Sequence, residues 1–540
     1  MTEQPVDSLE LYPTDENEIC TIAKSFKNNK APGLDEYSPK IIKNVISYIS
    51  EPLCHIFNQS MLEGIFPDEL KKAKVTPVFK SGDKRDFTNY RPISVLPVFS
   101  KLLERIIYKR TIEFFNKHSL LYEGQFGFRT DFSTSMALTS ISNKIVDAFE
   151  KNEFALGVFI DLSKAFDTIN HAILLSKLNR YGIRGAALDF FSSYLDNRLQ
   201  CTRFGSFVSD FKTITCGIPQ GSLLGPLLFI IYINDLYKSA NDLSFILYAD
   251  DTNIVVSNPN LESLCNIVNR GLSQVCEWFK ANKLSINVNK CNYMIFHNGK
   301  RFCVNDICIR IDNTALPRVD KTKFLGVYLD SSLSWKYHIS EVESKVSKSI
   351  GIISKIKHLL PDFILRMLYC ALVLPYLNYC NLIWANTYKT NLQKIIGLQK
   401  KIIRIISRAQ FNDHTTPLFE KLKLLKFTDI NLHQQSTFMY KSINNIFPTQ
   451  FNDKFCFQRN SEIHNYNTRS ASQIHLPQTR TQKFQFDIRY SGPKYWNSLP
   501  TTLQDSLSFY TFSRKVKKKL ISSYKKKQSD STKNAVSNVK

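Results

Sequence analysis

Phe245-Ile-Leu-Tyr-Ala-Asp-Asp-Thr-Asn-Ile-Val-Val256 is the stretch on which the reading of this chain turns. Two short apolar runs, Phe245–Leu247 and Ile254–Val256, flank Tyr248-Ala249-Asp250-Asp251. Apolar runs of this length around a short polar centre predict a β-hairpin with its acidic pair at the turn. A third carboxylate, Asp161, ends a separate apolar run, Ala155–Ile160. Three carboxylates at two strand ends form an oxygen-rich cage suited to Mg²⁺, a hard cation held by one or two carboxylates together with substrate phosphates. Two such ions activate an attacking hydroxyl and steady a departing pyrophosphate. The pattern points to phosphoryl transfer on a nucleic acid. Aspartate is also frequent in turns because it hydrogen-bonds the local backbone, so the pair alone has a purely structural reading as well.

Composition narrows the classes. The 71 Lys and Arg outweigh 47 Asp and Glu, for a net charge of +24. A charge of this size favours a polyanionic partner, and 24 Tyr and 39 Phe offer rings on which bases stack. A merely solvated basic surface is the plainer alternative. The 540 residues suggest about three to four units. The first ten residues, MTEQPVDSLE, lack the basic start and apolar stretch of a secretory signal. The most apolar run, Leu223–Ile233, is interrupted by Gly225-Pro226 and is too short to span a bilayer. The 12 cysteines include no CxxC pair, and Cys303 and Cys308 lack a partner pair at zinc-site spacing. They read as reduced thiols of an intracellular protein.

Along the chain, residues 1–60 read as a polar helical extension broken at Ala31-Pro32-Gly33. Residues 61–330 mix strands and helices around the acidic positions, with Val75–Phe79 a strand and Lys101–Phe115 a helix. Residues 331–450 are mostly helical. Within them Leu392–Arg408 sets isoleucines on one face and Lys400, Arg404 and Arg408 at four-residue spacing on another. That basic face suits either a phosphate backbone or plain solvent. Residues 451–540 form a basic C-terminal region whose lysine-rich end reads as disordered, able to bind RNA or to act as a weak nuclear-import signal.

Further motifs occur in this order: Asn29-Lys-Ala-Pro-Gly-Leu-Asp35, Pro77-Val-Phe-Lys-Ser-Gly-Asp83, Asn89-Tyr-Arg-Pro-Ile-Ser94, Gln125-Phe-Gly-Phe-Arg129 and Phe159-Ile-Asp-Leu-Ser-Lys-Ala-Phe-Asp167. Gly217-Ile-Pro-Gln-Gly-Ser222 precedes the acidic hairpin; Asn287-Val-Asn-Lys290 and Phe324-Leu-Gly-Val327 come after it. Together they resemble the reverse transcriptases of non-LTR (LINE-type) retrotransposons, within them the jockey-like and chicken-repeat-like elements. The core of the resemblance covers residues 28–330. Pro375-Tyr-Leu-Asn-Tyr-Cys380, Tyr466-Asn-Thr-Arg469 and Gly492-Pro-Lys-Tyr-Trp-Asn497 resemble the region downstream of the polymerase in such elements.

The resemblance implies an α+β right-hand polymerase fold, with fingers, a palm with an antiparallel sheet and a helical thumb. It implies that Asp161, Asp250, Asp251 and the Leu162 carbonyl hold two Mg²⁺ ions, with Mn²⁺ as a substitute. Lys80 and Arg91 would meet the triphosphate of the incoming dNTP, and Gln220 would hydrogen-bond it. Phe166 falls at the family's steric gate against the 2′-hydroxyl, the alternative being an ordinary core phenylalanine. Lys290 would donate a proton to pyrophosphate, and Phe324–Val327 would form the primer grip. Asp167 reads as structural. The implied partners are an RNA template, a DNA primer or target and dNTPs, with no membrane. Cytoplasm and nucleus are the expected compartments. The chain reads as lacking the family's N-terminal endonuclease, which would then be supplied separately. A catalytically silent nucleic-acid-binding remnant is the alternative function. A splicing or telomeric relative is disfavoured by the jockey-like tail.

Overall fold

The structure is a computed structural model that describes residues 7–299, 307–455, 457–463 and 470–537. The Tyr466–Arg469 motif and Cys303 lie outside the described residues. Helices and sheets are mixed in an α+β arrangement.

Two sheets carry the motifs. The first contains β1 (Ala73–Phe79), β2 (Tyr90–Val95), β4 (Leu199–Phe204), β5 (Phe207–Val208) and β6 (Lys212–Thr213), in the order β2-β1-β4-β5 with β6 also on β4. β1 and β2 are an antiparallel hairpin, and β4 joins β1 in parallel. The second contains β3 (Phe154–Ile160), β7 (Ser244–Tyr248), β8 (Asp251–Asn258) and β9 (Asn292–Phe296), all antiparallel in the order β7-β8-β3-β9.

β3 explains why this second sheet is the centre of the molecule. Every one of its residues is buried. Leu156, Val158 and Ile160 enter one hydrophobic cluster, while Ala155 and Phe159 enter another. Successive side chains of a strand point to opposite faces, so a run with no charged residue has a core on each side. The first core takes residues from the helices Val98–Lys117, His171–Arg180, Gly225–Tyr232 and Leu261–Ala281. The second takes the helix Thr134–Glu150 and the helices from Lys336 onward.

Local chemistry sets several ends. The helix Pro39–Glu63 starts at Ser38, whose hydroxyl accepts from Ile41 N, with Pro39 at its first turn. It stops at Gly64, φ +69. Ser38 is a favourable N-cap, and proline suits the first helical turn. The Ala31-Pro32-Gly33 break lies before this helix and after the helix Glu16–Ser25. No helix among the described residues is long and apolar enough to cross a membrane.

The C-terminal region is bound to the central domain. Glu150 accepts from Thr481 N at 3.0 Å and Thr481 Oγ1 at 2.6 Å. Arg489 bridges Asp147 at 2.7 Å and Asp487 at 3.0 Å. The helix Phe509–Ser537 carries the basic end. Its first half buries Phe512, Val516, Leu520 and Tyr524, a stripe at four-residue spacing. Tyr524 hydroxyl accepts from Lys426 N at 3.0 Å. Sequence composition hides this stripe because the lysines between its members dominate the segment.

Candidate active site

The acidic hairpin is real and tighter than its sequence implied. Tyr248 pairs with Asp251, which leaves Ala249 and Asp250 as a two-residue turn. Ala249 has φ +55. Two-residue hairpin turns require positive φ at their first centre and normally place glycine, asparagine or aspartate there. An alanine in this conformation persists only when its surroundings hold it. Gln125 does so. Its Oε1 accepts from Ala249 N at 3.1 Å and from Gly127 N at 2.7 Å. Phe126 N donates to Leu247 O, and Leu247 N to Gly124 O, both at 2.8 Å. The Gln125–Arg129 motif thus begins as a backbone splint on β7.

Register brings the third carboxylate to the same end. Ile160, the last residue of β3, pairs with Thr252, so the next residue, Asp161, leaves the sheet at the end where Asp251 opens β8. Its backbone is fixed from the other side: its carbonyl accepts from Asn287 N at 2.8 Å, and its N–H approaches Cys291 Sγ at 3.5 Å. Ser163 N donates to Ser285 O at 2.8 Å, making Leu162–Ile286 the intervening antiparallel bridge. In such a pairing the middle residue turns its carbonyl away from its partner, which leaves the Leu162 oxygen free of this ladder. Lys290 Nζ lies 3.5 Å from Asp161 Oδ2. The Asn287–Lys290 motif is therefore a turn seated on Asp161.

The electrostatics are those of crowded acids. Asp250 and Asp251 are both solvent-exposed but lie in a recess crowded by protein. Burial pushes the Asp251 carboxyl up to about 6, and the charges of Asp250 and Asp161 add to it, while Lys80 opposes. Asp250 is also raised, first by burial; Asp161 adds to this, and Lys80 and Arg91 pull it down. Lys80 directly follows β1 and Arg91 lies on β2, where Val78 pairs with Arg91 and Lys80 N donates to Asn89 O at 2.9 Å. The first sheet thus delivers two cations to the acids of the second. Among the described residues no three acidic, histidine or cysteine side chains close to ion-holding distance. The donor set, carboxylates with a backbone carbonyl, is nevertheless the hard-oxygen chemistry that suits Mg²⁺.

The remaining predicted residues are held together by their own contacts. Phe166 stacks on Phe229 with centroids 4.5 Å apart, and Phe128 meets it edge-on at 6.0 Å. Gly217 has φ +83, and a Cβ there would lie 2.6 Å from Asp167 O. Gly217 N donates to Ile169 O, Ile218 N to Phe166 O, and Ser94 N to Gln220 O. Gln220 Nε2 donates to Asp167 Oδ1 at 2.9 Å. The side chain expected to meet nucleotide is therefore oriented by Asp167, which gives that carboxylate a definite task. An ionised carboxylate only accepts, so Asp167 draws an amide N–H and leaves the Gln220 oxygen for another donor.

Several contributors escaped the sequence reading. Gln125 belonged to a quoted motif, but nothing local revealed its partner 124 residues away. Glu104 is fully buried and accepts from Leu223 N, Leu224 N and Ser100 Oγ, capping the approach to the helix Gly225–Tyr232. Burial pushes its carboxyl up, and the Arg198 charge lowers it. Cys291 gave no signal beyond composition, and Tyr379 belonged to a quoted motif whose partner was not legible. Tyr379 hydroxyl donates to Leu325 O at 2.6 Å, so the Pro375–Cys380 motif braces the hairpin Lys321–Phe324/Val327–Asp330. The basic face predicted along Leu392–Arg408 is partly spent: Arg404 donates to Asp413 O and Arg408 to Asp362 and Leu360. Lys400 and Lys401 are exposed on the helix Lys389–Ile406. The ten described cysteines are all free thiols.

Residues 80–329 match the family described as Reverse transcriptase (RNA-dependent DNA polymerase). The chain is 27% identical over 433 residues to the probable RNA-directed DNA polymerase from transposon X-element of Drosophila melanogaster, covering 78% of this chain and 47% of that protein. It is 28% identical over 429 residues to the RNA-directed DNA polymerase from mobile element jockey of Drosophila funebris, covering 77% and 46%. The corresponding jockey protein of Drosophila melanogaster is 28% identical over 434 residues, covering 78% and 47%. The chain spans about half the length of the curated relatives it matches.

Proposed function

We propose that this chain, whose residues 80–329 match the reverse transcriptase family and which is similar to the polymerases of jockey-like elements, extends a primer 3′-hydroxyl with dNTPs on an RNA template by two-metal phosphoryl transfer. The observation that carries the reading is the sheet register, which pairs Ile160 with Thr252 and so supports Asp161 reaching the end of the sheet that carries the Ala249-Asp250 turn and Asp251. In this reading the four-stranded sheet is the palm, the sheet of β1 and β2 belongs to the fingers, and the helices after Lys336 supply the thumb. The hairpin ending at Asp330 serves as primer grip.

Asp161, Asp250, Asp251 and the Leu162 carbonyl would hold the ions, which supply acidification of the primer hydroxyl and neutralisation of the departing pyrophosphate. The protein's own groups do the rest. Arg91 offers a planar fork to the triphosphate and Lys80 a point charge. Phe166, flat against Phe229, lies beneath the sugar and excludes a 2′-hydroxyl. Gln220, held by Asp167, presents its amide oxygen to the nucleotide. Lys290, beside Asp161, is positioned as proton donor to pyrophosphate.

Primer extension on poly(rA)/oligo(dT) with Mg²⁺ and dTTP tests the activity. Template-dependent extension supports it; no extension on any template leaves the nucleic-acid-binding remnant. Phe166→Ala is expected to raise ribonucleotide incorporation relative to deoxyribonucleotide by about 10–200-fold, the range over which small steric changes in a pocket discriminate. An unaltered ratio in an active variant would make Phe166 a core residue only.

Metal affinity is expected to depend on pH. A cation needs the ionised carboxylate, so protons compete for the site. With Asp251 raised to about 6, Mg²⁺ affinity should be level above that pH and fall about tenfold per unit below it, one proton being displaced per ion. Calorimetric titration of the chain alone with Mg²⁺ between pH 5 and 8 reads this directly. A flat profile through pH 6 would remove Asp251 from the ion site.

A further inference from the structure

We propose that Phe128 is a specificity-determining residue, a second aromatic wall that fixes how far Phe166 reaches under the incoming sugar. The inference rests on the reading of Phe166 as the ring beneath the nucleotide.

Of the five residues Gln125–Arg129, four have evident structural tasks. Gln125 is buried and holds the Ala249 turn. Phe126 is buried among Phe132 and Phe451. Gly127 packs so close to the turn that a Cβ would lie 2.2 Å from Ala249 N. Arg129 donates to Tyr122 O at 3.0 Å, Gln125 O at 3.2 Å and Gln450 Oε1 at 2.7 Å. Phe128 alone is left over. It is 44% exposed, although it is a large apolar side chain.

Its backbone adds a second observation. Phe128 has φ +56. For a bulky residue this is an outlier, and such conformations persist where the neighbours determine them and cluster at binding sites. Here Gly127 and Arg129 pin the chain on both sides. The consequence is that the Phe128 ring is aimed away from the core and towards Phe166, edge-on at 6.0 Å and 82°.

Phe166 is therefore confined by two rings. One face lies on the fully buried Phe229 at 4.5 Å and 24°. A stacked pair alone leaves the upper ring free to slide in its plane, because offset stacks of many displacements are similarly favourable. Phe128, its ring centre 6.0 Å away and turned 82°, is the side chain placed to limit that slide. A steric gate rejects a hydroxyl only when its height is defined, and Phe128 defines it. The same five residues hold the Asp250 turn, so the gate and the acids share one splint.

The test compares single-nucleotide incorporation of rNTP and dNTP by the parental chain, Phe166→Ala, Phe128→Ala, Phe128→Gly and Phe128→Tyr, each with kcat and KM resolved and a melting curve recorded. Glycine removes the ring and also relieves the positive φ, so it covers the case in which the alanine variant fails to fold. The expected result is a rise of about tenfold in the rNTP:dNTP ratio for Phe128→Ala and Phe128→Gly. It should appear mainly as a lower KM for rNTP, with Phe128→Tyr returning to the parental ratio. If Phe166→Ala relaxes selection while both ringless Phe128 variants keep the parental ratio, this inference is overturned and the Phe166 reading stands. If the Phe128 variants lose kcat equally for both sugars, Phe128 merely supports the acidic turn, and the inference is again overturned. If Phe166→Ala itself leaves the ratio unaltered, both fall.

Discussion

Asp250→Asn should lower primer extension by at least about 10²–10³-fold, the usual cost of removing one preorganised electrostatic group from a reacting centre, while RNA binding persists on the many basic contacts of a chain with charge +24. The same substitution should raise thermal stability at neutral pH. Asp250 and Asp251 both have carboxyls raised by burial and by neighbouring negative charge. A carboxyl whose folded pKa exceeds its unfolded value destabilises the fold when ionised. For Asp251 that penalty is absent below the unfolded value of 3.8 and present in full above about 6. Removing the Asp250 charge relieves the penalty on both. A variant that is inactive, melts higher and still retards RNA in a gel shift fits the two-metal reading. An active variant would remove Asp250 from the chemistry, and a variant that melts lower would mean the acids are paired rather than opposed.

Gly127→Ala should nearly silence primer extension from outside the acidic cluster. The new methyl would lie 2.2 Å from Ala249 N and 2.9 Å from Tyr248 C, both backbone atoms of the turn that carries Asp250. Neither can step aside as a flexible side chain would. Overpacking of this kind costs about 1–3 kcal/mol, so the chain should still fold. The relief comes from displacement of the turn, and about 1 Å of misplacement at a reacting centre costs on the order of 10²-fold in rate. Steady-state primer extension beside a melting curve checks this: kcat should fall about that far with only a modest loss of melting temperature. Parental kcat would show that the Gln125–Arg129 segment does not govern the turn.

The acidic hairpin was legible because its signals are local. Two short apolar runs and the acidic pair between them are all within a dozen residues, and the structure has β7 and β8 there, with the turn one residue earlier than the acidic pair, at Ala249-Asp250. The fully apolar run before Asp161 likewise became a strand buried on both faces. The packing of the segment just before the basic end was not legible, for the opposite reason. Composition averages over a window, and the stripe Phe512, Val516, Leu520, Tyr524 occupies only every fourth position. Arg404 and Arg408 showed the right spacing for a free basic face, but their acceptors at Asp413 and Asp362 lie on other segments.

Helix and strand periodicity and turn chemistry are properties of neighbouring residues, so the elements, the acidic residue types and their order could be read directly from the chain. Pairings between segments could not. Folding in three dimensions was needed to bring Asp161 to the end of the sheet where Asp251 opens β8, to bring Lys80 and Arg91 to the acids, and to seat Gln125 on the Ala249 turn. It likewise joined Asp167 to Gln220, Glu104 to the loop before Gly225, and Phe128 to Phe166. Each of these is a contact between segments distant along the chain. Strand register selects those within the sheets, since a one-residue slip would turn every side chain to the opposite face; the loop and helix contacts follow from close packing, which leaves buried polar groups few partners.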